Sequence, residues 1–549
     1  MTHKDKGYPY YDIPDLRTLR ELVQNGKDRG ADVTALYRGR KNDIPLTFEE
    51  VSDLVRGAGE FLLDQGFSGA NIALIGENST EWILSFLAVM NSGNVAVPLD
   101  RGLKVDEITD LAVHCECRAV FYSDKCSGVT DELKKCSDLS GVRYYMIDDI
   151  YVYAERGKTL LESGHNVYDE IDITEDDLAS IVYTSGTSGK MKGVMLTHGN
   201  LTSDVVATGR CAGGESTQLL LPLHHTFAWA SAVLMIFIYI TDLHISGNLR
   251  HIVKDLQHNR PQNVSTVPMM AEMLYNSIWS NARRAGMTGK LKRTMFMSDV
   301  LMKLGVDRRR QIFRNIHENF GGRLELMICG GAALDAAVQR GLYSLGINVI
   351  CGYGITECSP VVSVNRNNEF RFGSVGKPLP CNRVKIADPD RRGIGEICVA
   401  GSNVMKGYYK DPEATAEAFD GEWFRTGDYG RLDADGFLYI TGRKKNLIIL
   451  ANGENVMPEE LEQKLKELEY VKDVVCYEEN GKITAEFYLD EENFSDARIR
   501  LEEDIKKFNR SMPKHKNIGN TKIRDIPFEK TSTMKIKRYL LKQDKSKAK

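Results

Sequence analysis

Short apolar runs rich in β-formers alternate along this chain with amphipathic stretches of helical period. The runs 71–75, 118–122 and 325–329 have the first character, and 80–91 and 334–345 have the second. Strands joined through helices return parallel to one another, so the alternation predicts α/β layers with largely parallel sheets. The character changes over 373–442, where glycines punctuate strands such as 395–399 and 436–440 and suggest a β-barrel-like module. Beyond Arg443 comes a lysine-rich joint, then a helix over 458–468, strands over 471–477 and 483–489, and a helix over 497–509. The expected architecture is α/β. A large N-terminal domain of layered sheets and helices, 1–444, carries the β-rich module and is followed by a small mobile α+β domain, 445–549.

Composition narrows the class. The chain has 549 residues, 27% charged and 42% hydrophobic, with a net charge of −4, so a nucleic-acid partner is not expected. No apolar signal core follows Met1. The most apolar run, 230–240, is closed by Asp242 and falls short of the about 20 residues a membrane-spanning helix needs, so it reads as a buried element. Eleven cysteines occur without a CxxC pair, and Cys115 with Cys117 lacks a second half. Structural zinc is therefore not expected, and a reducing, cytoplasmic compartment is.

The first motif with chemistry in it is Tyr183-Thr184-Ser185-Gly186-Thr187-Ser188-Gly189-Lys190-Met191-Lys192-Gly193, which follows an apolar strand from 178. Glycines allow successive backbone amides to converge on one anion, hydroxyls add donors, and Lys190 and Lys192 add charge. A flexible linker uses the same residue types. The spacing also excludes the P-loop NTPase motif, since two residues rather than four separate Gly186 from Gly189-Lys190 and no Ser or Thr follows the lysine.

Further along lie Gly330-Gly331-Ala332 at the end of an apolar strand, Gly352-Tyr353-Gly354-Ile355-Thr356-Glu357 past another, Trp423 to Asp428 at a turn, and Thr441-Gly442-Arg443-Lys444-Lys445. Singly, each could be a turn or a close packing contact. Together with the glycine-rich segment, and in this order, they resemble the signature motifs of the adenylate-forming superfamily, in its long-chain acyl-CoA synthetase branch. The resemblance spans about 45–540. It implies ATP, Mg²⁺ and CoA as the small molecules used. It also implies that Thr184, Ser185, Gly186, Thr187, Ser188, Gly189, Lys190 and Lys192 cradle the phosphates, and that Gly330, Gly331, Ala332, Tyr353 and Gly354 flank adenine. It further implies that Thr356 contacts phosphate, that Thr184 and Glu357 stand on the metal side, that Asp428 takes the ribose, and that Arg443 is a second ribose or phosphate contact. Lys445 is the implied hinge, Gly453 lies on the CoA face, and Lys535 is the lysine that meets the α-phosphate and carboxylate. Two departures stand out: Met191 replaces the usual proline and Met534 the usual glycine.

Pro222 to Trp229 resembles the family's substrate-facing motif, with His225 as its histidine and Trp229 at a gating position of the long-chain branch. The run 230–240 carries no charge, where amino-acid-activating relatives place an aspartate, and so favours an acyl chain held by apolar burial. Fatty acid, ATP and CoA are the expected substrates, with an acyl carrier protein as the alternative acceptor and a different hydrophobic or aromatic acid as the alternative substrate. Between 281 and 314 there are ten Lys/Arg against two Asp, interleaved with Met, Leu and Phe. That is either a solvated helical face or a patch docking on anionic lipid at the inner membrane face.

Overall fold

The computed structural model describes residues 10–38, 43–185, 191–246, 251–450, 455–531, 535–538 and 540–541. They form two compact units, Met1–Arg383 with Val399–Phe424, and Val384–Cys398 with Arg425–Lys549.

The first unit holds, among the described residues, two seven-stranded sheets. In one, Leu178–Ser185, Val95–Pro98, Asn71–Ile75, Ala119–Tyr122 and Arg143–Met146 run parallel, as the alternation predicted. Asn71–Ile75 is apolar almost throughout because helices cover both faces of a parallel sheet. The helix Thr80–Asn91 starts where Ser79 accepts the Trp82 N–H, and it is buried along its length. Two strands then leave the parallel pattern: Met191–Thr197 and Gly407–Tyr408 add antiparallel to the edge at Leu178–Ser185. The second sheet repeats the plan. Leu243–Ile245, Thr217–Leu219, Asn263–Thr266, Leu326–Cys329 and Asn348–Gly354 are parallel, and Val361–Val364 and Lys377–Pro378 close it antiparallel. The run 230–240 is buried as expected. It forms a π-helical turn Trp229–Leu234 and a short helix Met235–Tyr239.

The chain enters the second unit through the strands Asn382–Ala387, Gly395–Gly401 and Trp423–Leu432, which with Leu438–Arg443 belong to a half-barrel sheet. The unit therefore takes in 384–398 and 425–444, which the sequence assigned to the N-terminal domain. Its other sheet pairs Val471–Glu479 antiparallel and Ile518–Arg524 parallel to Lys482–Leu489. Leu461, Val474, Phe487 and Leu501 meet in one core behind it. The helix expected over 458–468 ends at Leu465, and the strand Ile518–Arg524 was not expected at all.

Candidate active site

The described parts of the motif, 183–185 and 191–193, lie on the two arms of a β-hairpin. Tyr183 faces Gly193 across the ladder, Thr184 faces Lys192, and Ser185 faces Met191. Thr184 and Lys192 are thus opposed at the end of the hairpin. A Cβ on Gly193 would lie 3.0 Å from Ile181 and 3.3 Å from the Tyr183 ring, which accounts for that glycine. The tyrosine is anchored from behind, its hydroxyl 2.7 Å from His114 Nδ1. Gly186, Thr187, Ser188, Gly189 and Lys190 lie outside the described residues, as does the side chain of Ser185.

Tyr353 and Gly354 end the strand Asn348–Gly354, and Thr356–Cys358 follows as a single helical turn packed against Met191–Thr197. Gly354 is required there, since a Cβ would come within 2.1 Å of the Pro360 carbonyl oxygen. The turn brings Glu357 beside the hairpin. Its carboxylate accepts a hydrogen bond from the Tyr408 hydroxyl at 3.0 Å, and its backbone carbonyl accepts the Met405 N–H at 2.9 Å. The Lys192 ammonium stands over the Tyr408 ring, 4.6 Å from its centroid. Burial and the adjacent Glu357 charge push the Tyr408 phenol well above its ordinary pKa, so it stays a donor. Thr356 shares a 3.4 Å hydroxyl contact with Thr226. Tyr408 and Thr226 were not picked out from the sequence. Glycine-tyrosine pairs are common, and nothing local to 407–408 points to Glu357.

Glu357 and Thr184 supply hard oxygen donors, the type that suits Mg²⁺. No group of three or more His, Cys, Asp or Glu capable of holding an ion is found among the described residues. That donor set fits a cation carried mainly by nucleotide phosphates rather than by a protein cage.

Around the second sheet, Gly330 follows Leu326–Cys329 with the Phe227 ring against it, 2.7 Å from where a Cβ would stand, and Gly331 has φ +84°. A flat backbone surface results at that strand end. His225 precedes the turn Thr226–Ala228, its ring centroid 4.1 Å from that of His224. His224 Nε2 is 3.3 Å from Asp100, a partner the sequence did not suggest. Trp229 is fully buried against Phe86, and its indole N–H has no acceptor among the described residues.

In the second unit Asp428 and Arg443 are ladder partners, and their side chains pair at 3.0 Å. The carboxylate is buried and the guanidinium half exposed, so the pair presents one donor group and one acceptor group together. Beside them Glu396 is held by Arg425 and Lys444, and Lys445 follows in the turn Lys444–Asn446. Lys535 is set by its flanks. Lys530 bridges to Ile536, Thr531 N–H bonds the Lys535 carbonyl, Lys530 pairs with buried Asp473 at 2.7 Å, and Arg538 pairs with buried Glu462. Solvent still reaches Lys535, but loss of water around its ammonium lowers the pKa to about 8; Arg443 and Lys445 lower it further, while Asp428 raises it. Gly453 and Met534 lie outside the described residues.

Residues 23–409 match the family described as AMP-binding enzyme, and residues 445–545 match the AMP-binding enzyme C-terminal domain. The chain belongs to the AMP-binding enzyme family. It is 31% identical over 499 residues to long-chain-fatty-acid–CoA ligase 1 of Cavia porcellus, covering 82% of this chain and 70% of that one. Long-chain-fatty-acid–CoA ligase FadD15 of Mycobacterium bovis is 29% identical over 456 residues, with 77% and 73% covered. The fold is that of the anthranilate CoA ligase AuaEII in complex with anthranoyl-AMP, with a TM-score of 0.76 at 21% identity over 97% of this chain and 98% of that one. The motif order in the sequence and the family assignment therefore agree, and the hairpin, the Glu357 turn and the Asp428–Arg443 pair are this family member's own geometry.

Proposed function

We propose that this protein is an AMP-forming acyl-CoA synthetase acting on a medium- to long-chain fatty acid. The observation that carries the reading is that Glu357, from a motif far away in sequence, lies beside the hairpin on which Thr184 faces Lys192. A fatty carboxylate attacks the α-phosphorus of ATP, pyrophosphate leaves, and acyl-AMP forms; the CoA thiol then attacks the acyl carbon and AMP leaves. Lys192 and the other groups of the hairpin and its loop hold the phosphates. Tyr353 and the flat 330–331 backbone take adenine, and Asp428 with Arg443 takes the ribose. Lys535 neutralises charge gathering on the α-phosphate in the first step. Mg²⁺ held by Glu357 and Thr184 would neutralise and orient the phosphate oxygens. His225 orients the carboxylate, and the charge-free stretch from Trp229 to Tyr239, packed into the core, puts no charged group where an acyl chain would lie. Rotation about Lys445 would exchange Lys535 for the Gly453 segment between the two steps.

Pyrophosphate release with CoA present, screened over carboxylic acids of graded length, tests this. Long acids should release pyrophosphate and yield acyl-CoA. Release driven by an amino acid, or a thioester formed only on a carrier protein and never on free CoA, overturns the reading.

Among the described residues no helix is long and apolar enough to cross a membrane. A cytoplasmic enzyme that seats peripherally on anionic lipid is supported by the helix Thr288–Lys303, of which only Ser298 is buried. Phe296, Met297 and Leu304 are 64–73% exposed on or beside it, among Lys290, Lys292, Arg293 and Lys303. Exposed apolar anchors ringed by cations suit a lipid interface. Arg309 and Arg310 are instead engaged within the fold, and Arg314 pairs with Glu318 on the surface. Sedimentation with anionic vesicles should fall for Phe296→Glu/Leu304→Glu, and equal sedimentation of both proteins refutes the seat.

A further inference from the structure

We propose that Tyr408 is a positioning residue of the metal end of the nucleotide site, holding Glu357 toward the metal and keeping Lys192 apart from it. The proposal rests on the reading of Glu357 as the metal-side carboxylate. Glu357 is held at two points by one short segment: Tyr408 binds its carboxylate, and Met405 N–H binds its carbonyl. The face of the same tyrosine carries the Lys192 ammonium. A lysine and a glutamate held against the same side chain attract each other, and a direct pair would cost the phosphates a cation and the metal a ligand. The buried ring stands between them as a spacer that satisfies both, by a hydrogen bond at its edge and a cation–π contact on its face.

The tyrosine is itself fixed. Its backbone N–H donates to Thr415 Oγ1 at 2.9 Å, and that hydroxyl donates to the Asp411 carbonyl at 2.8 Å. Gly407, at φ +143°, leaves 2.9 Å between a would-be Cβ and Thr415, so the approach of the segment depends on glycine. The pairing of Gly407–Tyr408 with Met195 and Val194 ties the segment to the Lys192 strand. A tyrosine placed only for packing has no need of this double engagement with two oppositely charged groups of the site.

Two substitutions separate the functions of the side chain. Tyr408→Phe keeps the spacer and loses the hydrogen bond, whereas Tyr408→Leu loses both. Binding of Mn²⁺ to the enzyme with ATP is followed by electron paramagnetic resonance, alongside the Mg²⁺ dependence of ATP–pyrophosphate exchange and the KM for ATP, with Glu357→Gln as reference. Tyr408→Phe should weaken Mn²⁺ binding and raise the Mg²⁺ midpoint by about tenfold, the scale of one hydrogen bond to a charged group, with little change in KM for ATP. Tyr408→Leu should add a several-fold rise in KM, as Lys192 collapses onto Glu357. If Glu357→Gln weakens Mn²⁺ binding and Tyr408→Phe does not, the role given to Tyr408 is refuted while that of Glu357 stands. If neither variant moves it, both are refuted. Circular dichroism melts of each variant identify loss of fold, and a Tyr408→Phe protein that melts as wild type yet binds Mn²⁺ normally counts against the proposal.

Discussion

On the proposed role of Lys535 in adenylation, its ammonium should make that step sensitive to pH in a way that can be worked out from its surroundings. An ordinary lysine titrates at 10.5; here loss of hydration, then repulsion from Arg443 and Lys445 against attraction from Asp428, brings it to about 8. In the free enzyme the group is then about nine-tenths protonated at pH 7 and about one-tenth at pH 9. Only the protonated form can neutralise the α-phosphate. Since kcat/KM reports the free enzyme, kcat/KM for ATP in ATP–pyrophosphate exchange should turn down near pH 8 and lose about tenfold per pH unit above it. Bound ATP is a polyanion and stabilises the ammonium, so the limb in kcat should lie at higher pH. Lys535→Arg should remove the alkaline limb, because a guanidinium stays charged throughout. Arg443→Gln removes a neighbouring cation and should move the limb upward. Conversion of supplied acyl-AMP and CoA to thioester should lack the limb, since Lys535 is not used there. A kcat/KM for ATP that stays level to about pH 10, or a limb that persists in Lys535→Arg, refutes this account of the lysine.

Arg538→Met strands buried Glu462, whose carboxylate also accepts the Cys476 N–H. It should cost about 2–4 kcal/mol in chemical denaturation of the C-terminal unit. It should also slow adenylation more than thioester formation from supplied acyl-AMP, because Arg538 flanks the Lys535 segment. Gly354→Ala drives a methyl into the Pro360 carbonyl. The backbone there cannot yield as a side chain would, so the thermal midpoint should fall and the KM for ATP should rise, by calorimetry and exchange assay.

Much of the local structure was readable because its causes are local. Helix 80–91 was placed to the residue, since Ser79 caps it and its apolar run ends with it. The helix expected over 334–345 instead runs Ala336–Ser344, because Asp335 takes the cap by accepting the Ala337 and Val338 amides. Ile518–Arg524 escaped notice for the opposite reason. Its glycine, polar and charged residues carry little β signal, and it is a strand because Lys482–Leu489 offers it a parallel edge.

By itself, then, the sequence determined most of the kinds and order of elements and singled out the candidate site residues, since periodicity, caps and motif spacing are properties of neighbouring residues. The tertiary structure alone decided which of those residues meet. It turned the glycine-rich segment into hairpin arms that set Thr184 opposite Lys192. It put Tyr408 in contact with both Lys192 and Glu357, paired Asp428 with Arg443 across a ladder, and pinned the flanks of Lys535 to Asp473 and Glu462. Apart from the ladder pairs Thr184–Lys192 and Asp428–Arg443, those contacts join residues distant in the chain. They depend on sheet order and register, and only burial of the whole core selects these.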